Sequence, residues 1–300
     1  MARIYMPFAM MLATLIVTQT QAATPDFHGI WGRASFPGFA PPLVGPGPVI
    51  NKQRGPNGTS SLYGYVGDYT NPILKPQAAE AVKKHGEIEQ SGALALNARN
   101  QCWPEGVPFI LTNVGMQMIQ QPDKITILYA DTYEVRRVRM NQPHPAHVTP
   151  SWYGDSVGHY EGDTLVIDTV GIRTDRPYAM IDWFGTPYSE ALHVVERYRL
   201  LDYDVAKEAE KRDEKVNYGV PVGRATEQGF SKDPEYKGRG LQLVLTVEDE
   251  AVFTTPWSAT MIYMRPLSPL GQWPEIVCPE NAGFDGGYKA AMPTADKLDF

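Results

Sequence analysis

Beyond about residue 100 the chain carries short runs of β-branched and aromatic residues, and in the clearest of them polarity alternates with a period of two. That period fits pleated strands and no helix, so it limits the fold before anything else is considered. Lys124 to Ala130 and Thr132 to Met140 read as two strands of a hairpin, as do Ser156 to Tyr160 and Thr164 to Thr169, with Glu161-Gly162-Asp163 as the turn. Leu192 to Leu201, Leu241 to Glu248 and Ser258 to Arg265 supply further strands, and Phe27 to Trp31 supplies a distant first one. Strands that follow one another without intervening helices predict a mainly β protein, either an antiparallel barrel of calycin-like type or a sandwich.

The part before residue 100 differs in kind. Gly38 to Pro72 is crowded with glycine, proline and asparagine, which gives turns but no periodic apolar face; Tyr63, Tyr65 and Tyr69 within it imply that the loop packs on something. Pro76 opens a helical pattern that Gly86 interrupts, which predicts a short or kinked helix, and the charged stretch from Asp204 to Lys215 predicts a solvated surface helix. The expected organisation is one β domain over residues 23–300. Its segment 23–100 is a long irregular wrap with a short helix, and its segment 101–300 is the antiparallel core.

Residues 1–22 read as a cleavable signal peptide. Arg3 begins it, Phe8 to Val17 is uncharged and apolar, and Thr20-Gln21-Ala22 places small residues where a signal peptidase reads. The apolar run is half the roughly 20 residues that a spanning helix needs, so export to the periplasm or the extracellular space is expected, with no membrane span. The net charge of -7, with no cluster of lysine or arginine, argues against a nucleic-acid partner. In an oxidising compartment the two cysteines, Cys102 and Cys278, are expected to form a disulfide. No cysteine or histidine lies at a metal-ligand spacing from either one, and no metal or cofactor is expected.

Four constellations are able to carry chemistry. His144 and His147 in PHPAH are three residues apart, but the prolines keep that segment extended, so the two rings need not face one way. In SEALHVVER, Glu190 stands at a strand mouth and His193 on the strand, where an acid and a base can flank a ligand. Alternation sets Glu196 on an otherwise apolar face with Leu192, Val194, Tyr198 and Leu200. It gives Arg136 a matching position on its own strand, so the two are expected to pair, either as a buried ion pair or as a group that orients a ligand. Between Tyr153 and Asp168, Asp155 and His159 fall on one side of a strand, where the carboxylate would fix the imidazole tautomer; Ser156 has no nucleophile-elbow setting.

The segments CWPEGVPF, PSWYGDSVGHYEGDTLVIDTVG, GTPYSEALHVVERYRL, VEDEAVFTTPWSATMIYMR and VCPEN, in that order, resemble a family of secreted bacterial proteins with WEGDTLVVDT-like and SExLHVxER-like signatures. The likeness covers most of residues 100 to 282. It implies export and brings no activity or catalytic residue with it. Where that family often has tryptophan before EGDT and histidine before the SE pair, this chain has Tyr160 and Tyr188.

Two functional classes follow. In one, the protein binds a small apolar or aromatic molecule in a pocket lined by aromatics such as Trp152 and Trp183, with Arg136 and Glu196 orienting the ligand. In the other, the same pocket performs cofactor-free acid–base chemistry of a lyase, isomerase or hydrolase kind, with His144, Asp182, Glu190 and His193 as candidates. A structural protein without a ligand is the third reading. A cavity that gathers two or more of the four candidates favours the enzyme, an aromatic cavity favours binding, and a filled core favours structure. Oligomeric state is not legible in the sequence.

Overall fold

The computed structural model describes residues 24–33, 38–52, 65–113, 115–130, 134–176, 178–217 and 235–265. The expected signal peptide (1–22) and Cys278 lie outside the described residues. Nine described strands close into a barrel in chain order, with the last hydrogen-bonded to the first. They are β1 (Gly29–Arg33), β2 (Gly115–Gln120), β3 (Lys124–Tyr129), β4 (Val135–Met140), β5 (Asp155–Glu161), β6 (Thr164–Val170), β7 (His193–Leu201), β8 (Gly240–Glu248) and β9 (Trp257–Met264). The barrel is mixed rather than wholly antiparallel: β4 and β5 pair in parallel through Arg139↔Val157 and Met140↔Gly158. Parallel neighbours cannot be joined by a tight turn. The chain therefore crosses outside the sheet between them, along residues 141–154.

The period-two pattern sorts side chains as it must. On β7, Val194, Glu196 and Tyr198 are buried while Arg197 and Arg199 are exposed; on β4, Arg136, Val138 and Met140 are buried. Ile125, Ile127, Leu165, Ile167, Leu243, Leu245, Ala259 and Met261 join them in one apolar cluster, so the barrel is a packed core. The β5–β6 hairpin turns at Gly162, whose φ of 60° is the left-handed conformation glycine adopts at no steric cost.

Two helices lie outside the sheet. α1 (Pro76–Gln90) continues through Gly86 as one helix of 15 residues, so the glycine does not shorten it. The reason is tertiary: a Cβ on residue 86 would sit 3.1 Å from Val66 Cγ1, so the glycine admits the irregular segment that packs on the helix. α2 (Tyr203–Asn217) is not simply solvated, because Ala206 joins Leu201, Ile262 and Met264 in a small cluster on the outer wall. Asp213 is also buried there, 3.6 Å from Arg33. Isolated bridges, Ala40 to Thr260 and Leu74 to Phe253, tie parts of the N-terminal segment to the β8–β9 region. No helix among the described residues is long and apolar enough to cross a membrane.

Inside the barrel, Arg136 forks onto Glu196 at 2.6 Å and 3.0 Å, and donates also to Thr169 at 2.6 Å and Ser156 at 3.0 Å. The Tyr198 hydroxyl donates to Glu196 at 2.7 Å. Arg136 and Glu196 are 1% and 0% exposed. The pairing expected from alternation is present, in the enclosed setting of the two that the sequence left open. Desolvation pushes the Tyr129 phenol, beside this pair, up to about 12.

Candidate functional site

The outer wall carries the titratable cluster, and strand register places it there. Leu165, Ile167 and Thr169 of β6 point inward, so Asp168 points out; it lies across from Val157 on β5 and from Val195 on β7. His193 has the same parity as Val195 and lies across from Glu248 on β8. The crossover 141–154 lays His144 over this face.

A line of alternating basic and acidic side chains results. Arg139 Nη2 donates to both Asp155 oxygens, at 2.7 and 2.9 Å. His144 Nδ1 lies 2.6 Å from Asp155 Oδ2, and its Nε2 lies 3.1 Å from Asp168 Oδ1. The same Asp168 oxygen lies 3.0 Å from His193 Nε2, and His193 Nδ1 is 3.8 Å from Glu248 Oε2. Both nitrogens of His144 thus face carboxylates, an arrangement that is fully bonded only when both carry hydrogen. These side chains are partly open to water, His193 being 34% and Asp168 35% exposed.

The charge states follow from these bonds. The hydrogen bond from His193 holds the Asp168 carboxyl below its ordinary range against some burial, helped by His144. For Asp155, burial pulls upward, but the bonds from His144 and Arg139 outweigh it and the net shift is down. His193 is raised above the ordinary imidazole value, chiefly by its bond to Asp168, with Glu248 adding to it. Its Nε2 is engaged by Asp168, which leaves Nδ1 on the side of Glu248. His193 and Glu248 also line a cleft of about 390 Å³ with Ala191, Phe253, Thr254 and Pro256. That volume is within the range of small-molecule sites.

Of the residues expected to act, His144 and His193 are brought together through Asp168. Glu190 lies exposed in the turn before β7 and makes no hydrogen bond or ion pair among the described residues. Asp182 is buried in the loop between β6 and β7, where it accepts the backbone N–H groups of Phe184 and Thr186 and reaches neither histidine. Burial pushes its carboxyl up to about 6. His147 is exposed, and His159 meets Glu161 rather than the expected Asp155, which is already held by His144 and Arg139. Arg136 and Glu196 are enclosed in the core.

Trp152 and Trp183 do not share a pocket. Trp183 is buried against Phe109 and Tyr65, while Trp152 stacks with Trp103. Arg139 and Glu248 carry no signal in the sequence, and Asp168 stands in it only as one of the acidic residues crowded from Tyr153 to Asp168, with outward parity in TLVIDTV as the further signal. Among the described residues no group of His, Cys, Asp and Glu side chains is placed to hold a metal ion. No protein-family model matches the chain, and neither a curated protein nor a solved structure matches it.

Proposed function

We propose that this is an exported protein that performs cofactor-free acid–base chemistry on a small molecule held in the cleft beside His193. The observation that carries the reading is the single Asp168 oxygen bonded to the imidazoles of both His144 and His193 on a solvent-facing wall that borders a cleft. Asp168 takes the Nε2–H of His193 and so fixes the ring's orientation and tautomer, the role a carboxylate plays beside any catalytic imidazole. Nδ1 is then the atom that gives or takes a proton. Because Asp168 raises its affinity for protons, the ring begins as a donor and becomes the acceptor once discharged. His144, pinned between Asp155 and Asp168, holds the crossover over the site.

The barrel interior is filled by core side chains, which speaks against an internal apolar pocket, and the cleft gathers His193 alone of the four candidates, so the acid–base reading rests on the Asp168-linked histidines of the outer wall and not on the cavity criterion. To test the reading, the protein is incubated in D2O with a small-molecule extract of its host, and mass spectrometry follows compounds consumed or deuterated. Conversion that is lost in His193→Gln and Asp168→Asn but kept in Glu190→Gln supports the proposal. Equal conversion by the wild type and His193→Gln, or none by either, refutes it.

A further inference from the structure

A second surface, separate from the histidine line, has the chemistry of a binding site. We propose that Trp103, Trp152, Arg173 and Arg176 form a shelf for a planar aromatic carboxylate. The crossover that carries His144 continues to Ser151, whose N–H donates to the Gly171 carbonyl at 3.0 Å and whose carbonyl accepts the Arg173 N–H at 2.9 Å. This short parallel contact fixes Trp152 beside the segment that follows β6. The Arg173 and Arg176 guanidinium carbons then lie 5.0 and 5.4 Å from the centre of the Trp152 ring. Trp103 arrives from the turn before the Phe109–Thr112 helical turn, with its ring 5.8 Å from that of Trp152 and tilted by 34°.

Three features of this arrangement point to a ligand. Trp103 is 40% exposed although it is among the largest apolar surfaces in the chain. Two guanidinium groups converge on one indole, and Asp175, the carboxylate bonded to Arg173, is itself largely exposed. Arg176 is 93% buried by its 7% exposure, yet only Nη1 is bonded, to the Pro104 carbonyl at 2.7 Å. Its Nε and Nη2 meet no acceptor in good hydrogen-bond geometry among the described residues, although the Tyr188 phenol lies close enough to interact with the guanidinium. A buried charged donor without an acceptor is expensive, and a carboxylate is the group that satisfies a guanidinium edge best. A planar π system is what an open tryptophan pair accepts. Together they select an aromatic ring bearing a carboxylate. An inorganic anion would use the arginines alone, and a neutral ring the indoles alone.

The proposal does not depend on the acid–base reading, and its test has no activity readout. Isothermal titration of the full chain uses 2-naphthoate, its neutral counterpart 2-naphthamide, and the non-aromatic cyclohexanecarboxylate. The expected result is saturable binding of 2-naphthoate, weakened about tenfold or more in the amide and in the cyclohexane acid. Trp103→Ala and Arg176→Met should each weaken 2-naphthoate by a similar factor. If Arg176→Met fails to fold, Arg173→Gln, at a side chain partly open to water, takes its place. Absence of saturable binding at millimolar 2-naphthoate, equal affinity for the amide, or undiminished binding by Trp103→Ala would each overturn the proposal.

Discussion

Replacing Glu196 with glutamine removes one charge from a pair that has no access to water, and the structure sets the scale of the loss. The carboxylate accepts two N–H bonds from Arg136 and one O–H bond from Tyr198. An amide of the same shape has one acceptor oxygen, so its NH2 must face either the guanidinium or the phenol. Arg136 keeps its charge with only the hydroxyls of Ser156, Thr169 and Tyr129 around it. Removing one member of a buried pair costs about 3 to 5 kcal/mol, since the survivor is left uncompensated. For a chain of this size that is a fall in melting temperature of roughly 6 to 15 °C, measured by circular dichroism and checked by urea midpoints. The double variant Arg136→Met/Glu196→Leu should be less destabilised than the sum of the two single variants, because it leaves no orphaned charge. A loss below about 1 kcal/mol in Glu196→Gln, or a double variant as damaged as that sum, would refute the reasoning.

Three further outcomes follow from the same geometry. In Asp168→Asn the His193 titration, read from ring NMR signals, should move down, because the bond to Asp168 is the main cause of its upward shift. The line's contribution to stability is lost as pH rises through the raised value of His193, and as pH falls through the depressed values of Asp155 and Asp168. The wild type should therefore exceed Asp168→Asn most between about pH 4 and 6.5, and a difference flat across pH would contradict this. His85, packed on Gly185 with both ring nitrogens buried and unbonded among the described residues, is pushed down to about 4 by burial. Stability held above the ordinary imidazole value is then lost on acidification, by roughly 2 to 3 kcal/mol between pH 7 and 4.5, and His85→Leu should flatten that slope in urea melts. On the proposal of export, Cys102 and Cys278 should be bonded, so thiol titration of the denatured, unreduced chain should find no free thiol; two would refute it.

The strands could be read from the sequence because burial on one face writes itself as alternation, and VVERYRLL shows it clearly. The Arg136–Glu196 pair was legible for the same reason: a charge on an apolar face announces that it needs a partner. β2 was missed because GMQMIQ has a single β-branched residue and two glutamines. The parallel β4–β5 contact was missed since strand partners are chosen by the whole barrel, and no local pattern records the choice. Continuity of α1 through Gly86 was hidden in the same way, by a contact with distant Val66. The site was legible in its parts only. His144, Asp168 and His193 were all visible as candidates or neighbours of candidates, but residues about 25 apart meet through register, and register is a tertiary fact.

In a closed ring of strands, directions that alternate all the way round require an even number of members. With nine, parity forces at least one pair of neighbours to run the same way, and in this ring that pair is β4 and β5. The overhead strap that such a pair demands is the segment 141–154, which carries both His144 and Trp152. An odd strand count has thus put a length of chain on the outside of the ring that an even-numbered ring of hairpins would have had no need to make. Both proposed sites are built with that surplus.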